Sequence, residues 1–351
     1  MRKYYTRACN FYYGKTSREK IKKKIALPLC GNKDICFSKV EIFTRNKKKI
    51  NSRIINIKNI KHQSLTLKKE LNKDLIKITS KRNFFSNQTI MGILNMTPDS
   101  FSDGGQYNKT SKALKHINLM INSGAEIIDI GGESTRPGSK TILPEKEWKR
   151  ISQVVKIFKK KFPKIKLSVD TRKSDVIKNA LRYKVDMIND VSSFSHDTRS
   201  LKTIEKFNII KVLHHMQGTP QTMQINPKYK NVLLDIYDFF EENIAKNFTG
   251  KKFSKSIVLD PGIGFGKNLK HNLMLMSKIS LFHSLGFPIL IGTSRKRFIS
   301  QISGKFDTKE RFGGTLSSVL FTLSQGVQIF RVHNVKEVKQ GILVYKELLN
   351  Q

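Results

Sequence analysis

Three polar side chains that end short apolar segments have the chemistry needed to recognise a planar nitrogen heterocycle. Asp170, Asn189 and Asp260 each stand at the end of such a segment. Their carboxylate and amide groups can accept and donate hydrogen bonds along the edge of a ring that carries amino and amide groups. Burying these groups costs free energy unless they are paired. The three residues therefore predict a polar ligand that completes their hydrogen bonds.

Basic side chains occupy similar places after other apolar segments. Lys296, Arg331 and His333 suit phosphate oxygens or an electron-poor carbonyl group, and Arg295 and Arg297 add positive charge beside them. The glycines at 262, 264 and 266 allow a ligand to approach the backbone closely. We therefore predict that an anionic or carbonyl group of the ligand binds beside these cations.

The histidines and cysteines narrow the chemistry. The sequence has no Ser-His-Asp arrangement of the nucleophile type. His214 and His215 are adjacent, and neighbouring residues of a strand point to opposite faces, so one of the two should pack away from the ligand. Cys9, Cys30 and Cys36 all lie within the first 40 residues. A zinc site in the main body would therefore need His, Asp and Glu alone.

The elements that must position these residues alternate between short apolar segments and amphipathic stretches from residue 86 onward. The predicted strands are Ile90–Asn95, Glu126–Ile130, Lys166–Val169, Met187–Asn189, Ile209–Leu213, Ser256–Leu259, Pro288–Ile291 and Val327–Arg331. The predicted helices lie near 109–122, 146–161, 174–183, 198–206, 231–247, 270–282, 310–324 and 335–349. Eight such repeats predict the α/β class and a closed (β/α)8 TIM barrel for residues 86–351. An open doubly wound sheet is disfavoured because no GxGxxG follows the first strand.

The barrel interpretation makes the positions of the polar residues meaningful. Active residues of such barrels lie where strands end and the following loops begin. A single Asp, Asn or Gly at such a junction is more often a helix cap or a turn. Here all eight junctions carry polar or glycine-rich segments, while the opposite ends are plainer. We therefore predict one active site at the carboxyl end of the barrel.

Residues 1–85 differ in composition from the rest. They hold 24 Lys and Arg against 5 Asp and Glu, out of 66 and 27 in the whole chain, whose formal charge is +39. They show no sustained hydrophobic period beyond a weak strand signal at 50–60. We predict a basic, low-complexity and poorly ordered extension of unknown function. An organellar transit peptide is a rival interpretation, but the segment is rich in Lys and poor in Ser. A translated segment without function is a third.

Composition also bears on location and partners. No apolar run of about 18 residues and no secretory signal occur, so we expect no membrane span. The odd number of cysteines without metal spacing favours a reducing compartment, and we predict a cytoplasmic protein. The basic excess is explained best by a coding bias toward Lys, Ile and Asn. Nucleic acid is not expected as a partner, except non-specifically through residues 1–85.

Several segments resemble dihydropteroate synthase, a family of pterin-binding TIM-barrel enzymes. They are Met91–Gly105 (MGILNMTPDSFSDGG), Gly132–Gly138 (GESTRPG), Asp260–Lys267 (DPGIGFGK), Ser294–Lys296 (SRK) and Arg331–His333 (RVH). The resemblance runs from about Ile90 to the C-terminus, and the first two segments are long and specific. Residues 1–85 have no counterpart in the family pattern. Arg297 departs from it, because some relatives carry Ser at this outer-pocket position.

The resemblance implies an activity and roles for individual residues. Such enzymes join 4-aminobenzoate to (7,8-dihydropterin-6-yl)methyl diphosphate, releasing diphosphate in a dissociative, SN1-like step with Mg²⁺ present. By this resemblance Asn95 would hold the metal. The pterin diphosphate would contact Thr135, Asp170, Asn189, Asp260, Lys296, Arg331 and His333. The aminobenzoate would contact Phe101, Arg136, Pro137, Phe265 and Ser294. Asp170, Lys296, Arg331 and His333 would be the catalytic residues, and a sulfonamide would compete with aminobenzoate.

The resemblance further implies a homodimer, for which the helices at 310–324 and 335–349 are plausible contact surfaces. The loops after the first two strands, with Gly104-Gly105 and Gly131-Gly132, are predicted to be lids. The nearest alternative is a pterin-binding methyltransferase domain of the corrinoid-dependent kind, which should lack the Thr97–Gly105 and Ser134–Gly138 loops. A basic nucleic-acid-binding protein would leave the polar barrel end unexplained.

Overall fold

The computed structural model describes residues 2–46, 49–82, 84–85, 88–97, 106–248, 256–304 and 307–350. The strands are β1 (Arg2–Tyr13), β2 (Leu27–Leu29), β3 (Asn32–Asn46), β4 (Lys49–Asn56), β5 (Thr89–Asn95), β6 (Ile127–Gly131), β7 (Lys166–Asp170), β8 (Met187–Asp190), β9 (Ile210–His214), β10 (Ile257–Asp260), β11 (Leu290–Ile291) and β12 (Ile329–Val332). The α-helices are α1 (Gly14–Lys22), α2 (Leu65–Thr79), α3 (Gln106–Asn122), α4 (Pro144–Lys161), α5 (Ser174–Leu181), α6 (Arg199–Ile204), α7 (Val232–Asn247), α8 (Leu269–Ser277), α9 (Arg297–Ser303), α10 (Phe312–Leu323) and α11 (Val335–Asn350). Short 3-10 helices cover Ile57–His62, Ile279–Leu285 and Lys309–Arg311.

The eight strands β5 to β12 form one parallel sheet that curls into a barrel. Their order is β10-β9-β8-β7-β6-β5-β12-β11, and a parallel bridge between Leu259 and Ile289 brings the two ends of the sheet together. Helices lie between successive strands, as a parallel sheet requires. The predicted (β/α)8 fold is confirmed, and each predicted barrel strand coincides closely with an observed one. Among the described residues, no helix is long and apolar enough to span a membrane.

Alternation along the barrel strands separates the core from the polar end. The inward residues of the first strand halves form an apolar cluster. Its members include Met91, Ile127, Met187, Val212, Val258 and Ile329. Two residues further along five of these strands, the next inward residue is polar. These residues are Asp129, Asn189, His214, Asp260 and Arg331. A strand period of two thus places apolar side chains at the barrel's base and polar ones at its mouth.

Residues 2–46 and 49–82 form strands and helices that pack together, and we call them the N-terminal unit. The prediction of a poorly ordered extension is wrong. β1 and β3 pair antiparallel from Arg2↔Asn46 to Tyr13↔Ile35, and β3 also pairs with β2 and β4. The weak strand signal at 50–60 corresponds to β4. The inner positions of this sheet pack with α2 in a separate small core. Its members include Ala8, Phe37, Val40, Ile42, Leu67 and Leu71.

The opposite face of that sheet mixes charged residues with the buried Tyr5 and Phe43, which explains why the sequence suggested disorder. Lys3 bonds Asp238 at 2.5 Å and Glu241 at 2.6 Å, both on α7. Arg45 bonds Asp235 at 2.5 Å and Asp238 at 2.7 Å. Lys3 and Arg45, which interrupt the hydrophobic pattern, therefore contact acids of the barrel, although the Lys3 side chain remains 39% exposed. A sequence window cannot contain both partners of such pairs, because they are about 190 or more residues apart.

Further contacts fix the N-terminal unit to the 3-10 helix Ile279–Leu285 at the base of β11. The thiol sulfur of Cys30 lies 3.3 Å from Nδ1 of His283, and Arg82 donates to the His283 carbonyl oxygen at 3.0 Å. Glu41 accepts from Arg7 at 2.7 Å and from Lys278 at 2.6 Å. Because these groups are mostly buried, the unit is an integral layer on the outside of the barrel.

Candidate active site

A cavity of about 1120 Å³ opens at the carboxyl ends of the barrel strands. It contains every predicted site residue except Phe101, which lies outside the described residues. Those lining it are Asn95, Thr135, Arg136, Pro137, Asp170, Asn189, Asp260, Phe265, Ser294, Lys296, Arg331 and His333. Their positions agree with the predicted location of the site at this end of the barrel.

Arg331 bridges two carboxylates at the centre of the cavity floor. Its Nε donates to Asp129 at 2.6 Å and an Nη donates to Asp170 at 2.7 Å. Asp129 also accepts from the amide of Asn189 at 3.1 Å and the hydroxyl of Ser168 at 2.5 Å. Burial and the neighbouring Asp129 raise the pKa of Asp170, whereas Arg331 opposes that rise. This network fixes the guanidinium plane and leaves its remaining Nη for a ligand.

Asn189 and Asp260 present polar atoms whose hydrogen bonding is incomplete within the described protein. Oδ1 of Asn189 is buried without a hydrogen-bond partner there. Asp260 accepts from the backbone N–H of Gly262 at 2.8 Å through Oδ1, and its Oδ2 lies 3.9 Å from Nε2 of His214. Burial raises the pKa of Asp260 to about 6. A ligand that donates hydrogen bonds here would remove a desolvation cost.

His333 is held as a neutral ring. Burial, followed by the positive charges of Arg295 and Arg331, lowers its pKa to about 3. Ser294 accepts from the backbone N–H of His333 at 3.2 Å, and its hydroxyl lies 3.0 Å from Nδ1. The serine proton is thus available to Nδ1, which leaves Nε2–H as a donor toward the cavity. Ser294 therefore orients His333, a contact that the sequence did not reveal.

Lys296 and Phe265 pack against each other in the wall of the cavity. The ammonium nitrogen of Lys296 lies 3.9 Å from the centre of the Phe265 ring. Burial, with a smaller contribution from Arg331, lowers the pKa of Lys296 to about 8. The ring of Phe265 also contacts the ring of His214 edge to face at 4.5 Å. These contacts hold an aromatic wall beside a cation that is still charged near neutral pH.

The loop after β6 is tied down at its base by a buried ion cluster that the sequence analysis missed. Glu133 accepts from Arg172 at 3.1 Å and from Lys173 at 2.8 Å, and Lys173 also bonds Glu147 at 2.5 Å. The backbone N–H of Gly138 donates to the carbonyl of Pro220 at 3.0 Å. These contacts hold the loop at its base and near its middle, and the lid predicted at Gly131-Gly132 stays a prediction. The lid predicted at Gly104-Gly105 lies outside the described residues.

His214 and His215 point to opposite sides, as the strand argument predicts. His214 lines the cavity, whereas His215 packs its ring edge to face against Phe239 at 4.9 Å. Sequence reasoning missed Asp129, the central acceptor of the cavity floor. The signal was available, because Asp129 lies two residues after the inward-facing Ile127 on the same strand. Asp129 was overlooked because it lies inside the strand, whereas candidate site residues were expected after the ends of strands.

The described residues contain no group of three or more His, Cys, Asp or Glu that could hold a metal ion. Asn95 nevertheless offers an amide side chain at the cavity. The absence of a side chain at Gly131 leaves space between Asn95 and Asp170, since an added Cβ would lie 3.8 Å from Oδ1 of Asn95. Mg²⁺ accepts such oxygens and commonly takes others from a phosphate and water. The residues present therefore fit Mg²⁺ only together with an anionic substrate.

Fold and cavity together define a barrel enzyme of the pterin-binding class. The sequence pattern of the family described as "Pterin binding enzyme" matches residues 91–333. That span holds all the cavity-lining residues named above. The chain belongs to this family, and within it to the dihydropteroate synthases.

Similar proteins support this assignment along nearly their whole length. Dihydropteroate synthase of Escherichia coli strain K12 is 42% identical over 265 residues, which cover 76% of this chain and 93% of the relative. The Bacillus subtilis enzyme is 38% identical over 262 residues, covering 75% and 89%. The crystal structure of the Yersinia pestis enzyme with a sulfonamide drug superposes with a TM-score of 0.71 at 38% identity, covering 76% and 96%.

Proposed function

We propose that this protein condenses 4-aminobenzoate with (7,8-dihydropterin-6-yl)methyl diphosphate to give 7,8-dihydropteroate and diphosphate. The observation that carries the proposal is the cavity floor, where buried carboxylates and cations from separate strands meet. Its similarity to dihydropteroate synthases, including one from Xanthomonas albilineans solved in complex with 7,8-dihydropteroate, supports the same reaction. The corrinoid-dependent methyltransferase alternative receives no support from these relatives.

The pterin ring binds to the deepest polar residues. Asn189 and Asp260 offer acceptors for its amino and amide N–H groups, and the unpaired Oδ1 of Asn189 gains a partner. Lys296 donates to a ring acceptor. Asp170, held by Arg331 at 2.7 Å, lies where it favours positive charge on the adjacent ring. Each of these contacts satisfies a group that is costly to leave buried alone.

The diphosphate binds toward Arg331 and His333, with Thr135 and Arg136 approaching from the loop after β6. The carbon–oxygen bond between the pterin methylene and the diphosphate breaks, and both electrons leave with oxygen. The Nη of Arg331 and the Nε2–H of His333 stabilise this growing negative charge. The amine nitrogen of aminobenzoate then bonds the methylene carbon and releases a proton. Asp170 and the electron-rich pterin favour the cationic carbon, so we prefer the dissociative course.

Mg²⁺ is the proposed cofactor, with the side-chain oxygen of Asn95 as its protein ligand. When bound, the ion would neutralise charge on the diphosphate oxygens. Because the Asn95 ligand is uncharged, the positive charge of the ion would remain available to the diphosphate. Removal of divalent ions with a chelator should therefore lower diphosphate binding to wild type and leave the Asn95→Ala variant nearly unaffected.

The aminobenzoate binds in the outer part of the cavity. Phe265 and Pro137 supply apolar walls, and Arg136 and Ser294 lie near their edge. Phe101 is assigned to the same pocket on the family pattern alone. A sulfonamide should compete with aminobenzoate, because both would occupy this space.

The decisive test is an assay of diphosphate release with the purified protein. Release should require both aminobenzoate and the pterin diphosphate, and a sulfonamide should raise the KM of aminobenzoate without changing kcat. Methyl transfer from a methylated folate to a corrinoid, without diphosphate release, would support the alternative. Non-competitive inhibition would contradict the proposed pocket.

We also propose a homodimer and a cytoplasmic location. Phe321 on α10 and Leu343, Val344 and Leu348 on α11 are more than half exposed, and such a patch suits a second copy. The cysteines are buried free thiols, which is consistent with a reducing compartment. Val344→Asp should convert a dimer to a monomer in analytical ultracentrifugation, whereas a monomeric wild-type protein would contradict the proposal.

A further inference from the structure

The loop after β10, residues 260–267, lies directly on the loop after β9. A Cβ on Gly262 would be 2.0 Å from the carbonyl oxygen of His215, and one on Gly266 would be 2.7 Å from that of Gln217. Both glycines also have positive φ, at 69° and 59°. The two loops therefore fit together without side chains between them, and small displacements of one would transmit to the other.

Lys267 fastens this contact from behind the cavity wall. It is 3% exposed, and it is not among the residues that line the cavity. Its Nζ bonds the carbonyl oxygen of Phe265 at 2.8 Å, the carbonyl oxygen of His215 at 3.2 Å and Nδ1 of His215 at 3.0 Å. Burial lowers the pKa of Lys267 well below its usual value, and these three contacts surround its nitrogen. The side chain thus spans both loops.

One of those acceptors belongs to the aromatic wall. Lys267 bonds the carbonyl oxygen of Phe265. The ring of Phe265 contacts Lys296 at 3.9 Å and His214 at 4.5 Å. Other ties hold the same loop at neighbouring positions. Tyr229 donates to the Gly266 carbonyl at 2.7 Å, and Gln224 donates to the Gly264 carbonyl at 2.8 Å. Of these donors, only Lys267 reaches the backbone of Phe265 itself.

We propose that Lys267 is a positioning residue that fixes the Phe265 ring as the wall of the second-substrate pocket. The inference rests on the proposed function, since it deepens the aminobenzoate subsite. Lys267 touches neither substrate. The bonds of Lys267 go to His215 and Phe265 and not to Asp260 or Asn189, so we expect the pterin subsite to change less than the aminobenzoate pocket when Lys267 is replaced.

The test compares Lys267→Met, which keeps the chain length and removes the donors, with Lys270→Met. Lys270 is exposed at the start of α8 and is a matched control. Lys267→Met should raise the KM of aminobenzoate about tenfold, with kcat and the Kd of the pterin diphosphate changed less than about twofold. Lys270→Met should change none of them. Equal changes for both substrates, or none, would overturn the proposal.

A double-mutant cycle shows whether Lys267 acts through Phe265. Once Phe265→Ala has removed the ring, adding Lys267→Met should raise the KM little further, whereas additive effects would contradict the inference. Lys267→Leu also removes the donors and provides the same comparison if Lys267→Met does not fold. Wild-type turnover in the same assay separates the two proposals. A wild-type protein without turnover contradicts the proposed function and this inference with it, whereas turnover with an unchanged KM in the variants contradicts only the role of Lys267.

Discussion

Charged residues have different roles in the barrel and in the N-terminal unit. In the barrel, charged residues gather at one end, where Arg331, Asp129 and Asp170 neutralise each other around a space for a ligand. In the N-terminal unit, charged and aromatic residues share one face of a sheet, where Lys3 and Arg45 meet acids of α7. Buried charges at a cavity indicate chemistry, whereas the same residue types along a strand form an interface between layers. A charge pattern can be interpreted only when the partner is known.

This contrast explains how much could be predicted from the sequence. The barrel strands are short, apolar and evenly spaced, and the polar end residues follow each of them, so both fold and site were accessible. Asp129 was missed because it stands within a strand, and the contact of Ser294 with His333 was missed because it joins residues 39 apart. The N-terminal unit was missed because basic residues such as Lys3 and Arg45 interrupt its apolar pattern, and their acidic partners lie beyond residue 230. Tertiary pairing there overrides the local signal.

The largest expected effect on activity comes from replacing a charged residue of the cavity floor in the barrel. Arg331→Ala should lower kcat by about 100-fold or more, because it removes a charge that stabilises the leaving diphosphate. Arg331→Lys should retain part of the activity. Steady-state kinetics would measure both variants, with circular dichroism to establish that they are folded, since Asp129 is fully buried. Near-wild-type turnover in the alanine variant would remove Arg331 from the mechanism.

The pH dependence of activity should also test the role of the charges in the barrel cavity. The pKa of Lys296 is lowered to about 8, so its ammonium is present below that pH and lost above it. If the charged form binds the pterin, kcat/KM should fall about tenfold per pH unit above roughly pH 8. Lys296→Arg should move this alkaline limb upward, beyond the measured range. A limb at the same pH in that variant would assign the titration to another group.

Breaking the ion pairs between the N-terminal unit and α7 should lower stability without lowering catalytic activity. Asp238 accepts from Lys3, Tyr5 and Arg45, and it is outside the cavity. Asp238→Asn should lower the free energy of unfolding by about 2 kcal/mol and leave kcat unchanged. Glu242→Gln, an exposed change on the same helix, is the control. Chemical denaturation would measure both, and equal stability of the two variants would show that the ion pairs contribute little.

The smallest effect concerns the core of the N-terminal unit. Burial raises the pKa of Asp74 from 3.8 to about 6, although Thr6 donates to it at 2.6 Å. This carboxyl therefore stabilises the fold most when protonated, and that contribution is lost as pH rises from about 4 to 6. Asp74→Asn should raise the free energy of unfolding at pH 7.5 by up to about 2 kcal/mol, with little change at pH 4.

Denaturation at the two pH values would test this, with the exposed Asp34→Asn as the control. A variant that is less stable than wild type at pH 7.5 would show that the hydrogen bond outweighs the burial of the charge.

The two-residue spacing between apolar and polar positions in β12 has a consequence for insertions. Adding one residue within that strand would exchange the directions of Arg331 and Phe330. The guanidinium group would enter the apolar layer between the barrel strands and the surrounding helices, and a phenyl ring would fill the opening of the cavity. Natural length variation should therefore be confined to the connecting loops, and sequences that carry a single-residue insertion in this strand should be absent among functional homologues.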